Sequence, residues 1–138
     1  MKLTQAAHVF HALSDPIRIR IFNLLLAAGS DLAVGEMVDA LEERQYNVSK
    51  HLRILKQAGL VTERREGRFI YYGVVRAADG FLLEVCDAIR HLPEEDLHRD
   101  REELVRRLIL RSEGSSVIGL TKPHLASGRH SAPPIANE

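Results

Sequence analysis

The sequence predicts a mainly α fold carrying one β-hairpin, and three observations point there. Apolar residues recur at helical spacing over six stretches between Leu3 and Arg111. Between the fourth and fifth of these, two β-rich segments flank a Gly-containing turn at Glu66-Gly67. The composition is that of one ordered domain: of 138 residues 45% are apolar, and 19 Lys+Arg balance 19 Asp+Glu, so a core is available and wholesale disorder is not expected.

The elements follow in order. Leu3, Ala6, Ala7, Phe10 and Leu13 line one side of a first helix, which stops before Ser14-Asp15-Pro16. Proline disfavours helical geometry in the residue before it and suits a first helical position, so Asp15 caps a second helix running from Pro16 to about Ala27 and ending near Gly29. That helix is apolar except for a narrow polar face of Arg18, Arg20 and Asn23, which makes it the expected centre of the core. A short third helix, Val34 to Leu41, turns Val34, Met37, Val38 and Leu41 inward and Glu36, Asp39 and Glu42 outward. The fourth, from about Gln45 to Ala58, buries Val48, Leu52, Leu55 and Ala58 and stops at Gly59. Leu60–Arg65 and Arg68–Val75 then form the hairpin, with arginines near its tip.

A fifth helix, from about Asp79 to Leu92, has Phe81, Leu82, Val85, Ala88, Ile89 and Leu92 on one side. Pro93 opens a sixth, Glu94 to Arg111, with acids at its start and arginines at its end, as the helix dipole favours. Its apolar positions are Leu97, Leu104, Val105, Leu108 and Ile109. Residues 1–111 are thus read as the domain, and residues 112–138, Gly/Ser/Pro-rich from Gly114, as a disordered tail.

Several function classes are disfavoured. The longest apolar run, Leu24 to Ala28, is far below the roughly 20 residues a bilayer requires. Met1-Lys2-Leu3-Thr4-Gln5 has no secretory signal, so the expected location is the cytoplasm, without a membrane partner. One cysteine precludes an intramolecular disulfide framework. No Gly-rich phosphate loop and no Ser/His/Asp set with a recognisable context is present, so an enzyme is not expected.

Charge is unevenly placed. Residues 31–43 carry five acids and no base, residues 44–76 carry eight Lys/Arg against two acids, and residues 77–113 carry six against ten. The basic segment is a polyanion footprint on an acidic body. Two short helices joined by a tight turn and followed by this basic hairpin make a winged helix-turn-helix. With its apolar stripe turned inward, the fourth helix leaves Gln45, Tyr46, Asn47, Ser49, Lys50 and Arg53 for a major groove, where Gln and Asn pair with adenine edges and Lys with guanine or phosphate, while His51 borders the buried stripe and reads either as part of this set or as a support for the helix under a phosphate. Arg64, Arg65 and Arg68 are placed to track neighbouring phosphates or enter the minor groove.

The run His11-Ala12-Leu13-Ser14-Asp15-Pro16-Ile17-Arg18, then Val48 to Val61, then Arg64-Arg65-Glu66-Gly67-Arg68 and Tyr71-Tyr72, resembles the ArsR/SmtB family of bacterial repressors over roughly residues 3 to 92. The resemblance implies a homodimer formed through the first and fifth helices, seated on an imperfect inverted-repeat operator in a promoter and released by an effector. It places Gln45, Tyr46, Asn47, Ser49, Lys50 and His51 in the recognition helix and Arg64, Arg65 and Arg68 in the wing. The chain also departs from the family. Ala33-Val34-Gly35 stands where arsenic sensors have Cys-Val-Cys, Asp96-Leu97-His98 supplies only half of a zinc-sensor pattern, and Arg44 occupies a cap position that is commonly Ser. Loss of that cap costs about 1 kcal/mol of helix stability.

The effector is not legible in the sequence, and no cofactor is required by it. Cys86 reads first as a small buried hydrophobe, and as a candidate thiol switch if two copies meet in a dimer. His8 and His11 with Asp87 and His91 are the candidates for a mixed transition-metal site between subunits, against the plainer reading of solvated or interface histidines. The alternative function is a winged-helix module that docks an acidic protein without sequence-specific DNA binding.

Overall fold

A computed structural model describes residues 1–76 and 79–112; the expected tail lies outside the described residues beyond position 112. The core is built around α2 (Pro16–Ala28), whose Ile21, Phe22, Leu24 and Leu25 are buried. Its start is set by Asp15, whose carboxylate accepts the backbone N–H of Ile17 at 2.8 Å and of Arg18 at 3.2 Å, and its end by Gly29 in the left-handed region at φ 66°.

Preceding it, α1 (Leu3–Ala12) buries Val9 and Ala12. Of the apolar stripe read from the sequence, Leu3 is 86% exposed and Phe10 61%, the latter meeting Phe81 edge-on at 5.4 Å. One side of α1 leans on the chain's own core and the other is left open, so an amphipathic period alone cannot say which edge is covered.

Three antiparallel strands, β1 (Leu32–Ala33), β2 (Val61–Glu66) and β3 (Phe69–Val74), form a sheet in the order β1-β3-β2. Two residues are too few to carry an alternation signal, and β1 went unpredicted. Glu66 pairs with Phe69, so the hairpin turn is the two residues Gly67 and Arg68. Gly67 adopts φ 64° while Arg68 keeps a negative φ, as in a two-residue type II′ turn, and this puts Arg68 at the tip of the wing.

Between β1 and β2 lie α3 (Val34–Leu41) and α4 (Gln45–Gln57), the helix-turn-helix pair. α3 closes on Glu42 at φ 57°, a left-handed residue without the glycine that usually marks such an end. α4 packs through Val48, Leu52 and Leu55, all fully buried. α5 (Gly80–Arg90) is capped by Asp79, which accepts the Leu82 N–H at 3.2 Å, and it buries Cys86 and Ile89 while Ala88 is exposed.

The largest departure from the sequence reading is made by α6 (Glu95–Ser112), which folds back across α2 and α3. Leu97 and Leu104 are its buried apolar anchors, whereas Val105 and Ile109 of the same apolar set are more than half exposed. In their place arginines point in. Arg107 binds Asp39 at 2.9 Å, and Arg111 binds Glu36. Asp100 takes two hydrogen bonds of 2.9 Å from Arg20. Arg101 donates to Asn23 at 3.0 Å. The acids assigned to the outer face of α3, Glu36 and Asp39, are therefore buried, as are Arg18 and Asn23 of the supposed polar face of α2. Glu42 alone of the three acids stays outside. Asp39, Glu36 and Arg20 read as solvated because their partners lie 68, 75 and 80 positions away, beyond any local pattern. No helix among the described residues is long and apolar enough to cross a membrane.

Candidate nucleic-acid interface

The turn Glu42 to Arg44 delivers the chain into α4 with no side-chain cap at Arg44, as its sequence suggests. Gln45, Tyr46 and Arg53 are exposed, and Asn47, Ser49 and Lys50 are half-buried with part of each side chain in solvent. Tyr46 and Lys50, one turn apart, bring the ammonium within 6.0 Å of the ring centroid. Asn47 donates a long hydrogen bond of 3.4 Å to Glu43, weak enough to be exchanged for a base edge.

Of its two readings, His51 takes the supporting one and not the groove contact. It is 8% exposed, and its Nδ1 lies 3.1 Å from a guanidinium nitrogen of Arg18, whose Nε donates to the carbonyl of Ala12 at 2.6 Å. Arginine only donates, so Nδ1 accepts and the neutral ring carries its proton on Nε2. Burial pushes the His51 pKa below its ordinary value; Asp15 opposes the shift, and Arg18 and Lys50 reinforce it. The residue therefore joins α1, α2 and α4 from beneath the recognition surface instead of presenting its ring to a groove.

The cations of α4, its cap and the wing divide in two. Arg44, Arg53, Arg65 and Arg68 make no hydrogen bond or ion pair among the described residues and are exposed, which leaves them available to phosphates. Arg64 is already engaged. It reaches Asp31 at 3.2 Å and Glu66 at 2.8 Å, and its guanidinium lies 4.7 Å from the Tyr71 ring centroid. Those two carboxylates, Glu66 first, raise its pKa further. Lys56 is likewise held by Glu63 at 3.1 Å. Arg64 thus ties the wing to the residue before β1. Asp31, Tyr71 and Gly73 complete this strut and were missed by sequence reasoning, since nothing local links Asp31 to a residue 33 positions on.

Wing and recognition helix are brought together. Gln45 and Ser49 from α4 and Arg64 and Arg68 from the wing border one cavity. The effector candidates are not gathered within one protomer: among the described residues no three His, Cys, Asp or Glu side chains are placed to hold a metal. His8 and His11 flank a small groove beside α4, Asp87 is engaged by Arg90 at 2.9 Å, and His91 approaches the carbonyl of Asp87 at 2.7 Å. Cys86 is 7% exposed, and burial pushes its thiol pKa up, away from the reactive thiolate.

Comparison with known proteins matches this geometry. A helix-turn-helix domain family matches residues 13–64. A helix-turn-helix transcriptional regulator from Methanocaldococcus jannaschii is 42% identical over 88 residues, 64% of this chain and 98% of that protein. The transcriptional repressor SmtB of Mycobacterium tuberculosis is 44% identical over 94 residues, 67% of this chain and 66% of its own length. Among solved structures, HlyU from Vibrio cholerae superposes with a TM-score of 0.57 at 26% identity, covering 67% of this chain and 98% of that one. The arsenic resistance regulator of Pseudomonas putida, 39% identical over 84 residues, covers 58% of the chain and 65% of that protein. A recognition helix and a basic wing on this fold, with relatives named as repressors, make the chain a member of the ArsR/SmtB family of winged-helix, DNA-binding transcriptional repressors.

Proposed function

We propose that the protein acts as a homodimer on an imperfect inverted-repeat operator, reading bases with Gln45, Asn47 and Ser49, gripping phosphates with Lys50, Arg53, Arg65 and Arg68, and releasing the site when an effector binds. The observation that carries this reading is that α4 and the wing border one cavity, while Arg44, Arg53, Arg65 and Arg68 are exposed and make no ion pair among the described residues. Such a set of cations has a use on a polyanion and none in packing. The homodimer is supported by the uncovered apolar edge of α1, Leu3 and Phe10, and by Leu83 on α5, which is 51% exposed. A cytoplasmic location is part of the same reading, supported by membership of a family of DNA-binding regulators.

The test is selection of binding sites from a random duplex pool, followed by footprinting. The reading expects an enriched inverted repeat, one protein dimer bound, and log affinity falling with log salt at a slope near −5 for about 6 neutralised phosphates. An unenriched pool bound with little salt dependence would instead favour a protein-docking module.

A further inference from the structure

The cavity that the recognition helix and the wing share extends to α6 and α3 and has a volume of about 530 Å³, within the range that small-molecule sites occupy. Its charge arrangement is specific. Asp31 and Glu66 are taken by Arg64, Glu36 by Arg111, and Arg107 by the buried Asp39. The lining charge left without an ion pair is Arg68. Because Arg64 is shared by two carboxylates the cavity is neutral as a whole, and Arg68 is its one guanidinium left to meet an anion.

Its apolar part is aromatic. Phe69 and Tyr71 project from the same face of β3, both half-buried, with ring centroids 6.3 Å apart and planes inclined by 47°. An aromatic ring next in sequence to a free guanidinium suits a flat ring that carries an anionic group: the ring packs against Phe69, beside the Tyr71 ring that Arg64 covers, and the anion accepts two parallel hydrogen bonds from Arg68. Ser49 and Gln45, from α4, add hydroxyl and amide groups to the lining.

We propose that this cavity is the effector site of the repressor, that it takes a planar aromatic monoanion of the aromatic carboxylate class, and that occupancy releases DNA by capturing Arg68, Ser49 and Gln45. Its consequence for DNA rests on the repressor reading above, whereas binding itself is measured without DNA. The ligand reaches the same guanidinium and the same start of α4 that phosphate and bases need, so the two occupants exclude each other and their affinities are coupled reciprocally.

The experiment titrates 1-naphthoate into the full chain, with its uncharged counterpart 1-naphthalenemethanol alongside, and follows amide shifts by two-dimensional NMR. Saturable shifts at Ser49, Phe69, Ile70 and Tyr71 are expected for naphthoate, with the alcohol about tenfold weaker. Phe69→Leu, which keeps an apolar side chain on the strand, should weaken naphthoate about fivefold, and Arg68→Gln about tenfold. Saturating naphthoate should then weaken binding to the selected duplex. The inference is overturned by no saturable binding up to the solubility of the probe, by shifts confined to the groove at His8 and His11, by equal binding of acid and alcohol, or by full occupancy with unchanged DNA affinity. A chain that binds no duplex at all fails the repressor reading instead, and the NMR titration still decides whether the cavity holds the anion.

Discussion

Arg107 on α6 and Asp39 on α3 form an ion pair of 2.9 Å, with only 3% and 1% of their side chains exposed. Removing two charges from water costs several kcal/mol each, which the pair recovers only while both members are present. Asp39→Ala should therefore destabilise the fold by about 3 to 5 kcal/mol, because it strands a buried guanidinium. The double replacement Asp39→Leu with Arg107→Met should return stability to the parent level or above it. Urea unfolding of the three variants checks both statements, and a double variant as weak as the single one would show that the pair does more than compensate itself.

His51 gives stability a pH dependence of defined sign. Its folded pKa lies below the ordinary 6.5, so the unfolded chain takes up a proton first as the pH falls. The contribution is complete above about pH 6.5 and is lost as the pH drops toward the folded value, where a protonated ring would face Arg18 and Lys50, with Asp15 and Glu43 as the nearby acids. His51→Gln keeps an acceptor for Arg18 and removes the titration. Thermal melts between pH 7.5 and about pH 5 should fall less steeply for that variant than for the parent. DNA affinity at pH 7.5 should change little, since the ring lies beneath the reading surface.

Base reading and phosphate gripping separate by substitution. Asn47→Ala should lose about 1 to 3 kcal/mol of discrimination between the selected site and a single-base variant, leaving random-duplex binding nearly intact. Arg65→Ala should weaken all duplexes alike and reduce the magnitude of the salt slope by about 1 for each copy bound. Equal losses on both duplexes for Asn47→Ala would remove that residue from base readout.

Gly73 is kept free of a side chain by Asp31, whose carboxylate oxygen lies 2.0 Å from where a Cβ would stand. Gly73→Ala should push Asp31 away from Arg64 and loosen the wing, seen as faster amide exchange across β2 and β3. Arg64→Ala should do the same and, unlike Arg65→Ala, leave the salt slope close to that of the parent, because Arg64 already holds two carboxylates. A slope change matching that of Arg65→Ala would place Arg64 on the phosphates.

The chain's local chemistry determined the parts that depend on near neighbours. Asp15-Pro16 and Gly29 bound α2, the stripe Val48, Leu52 and Leu55 sets which side of α4 is buried, and Gly67 turns the wing. Each is a matter of a few bonds or one helical period, and each is visible in a window of a dozen residues. Only the tertiary structure decided the rest. The acids of α3 and the arginines of α6 read alike as solvated faces until the fold brings residues 36 and 111, or 39 and 107, together. The same holds for Arg64, which reads as a phosphate contact until Asp31 is found beside it, and for His51, which Arg18 holds from below. Charge carries no period that distinguishes water from a distant counter-ion, so which cations are spent inside the protein and which remain for DNA is settled by packing alone.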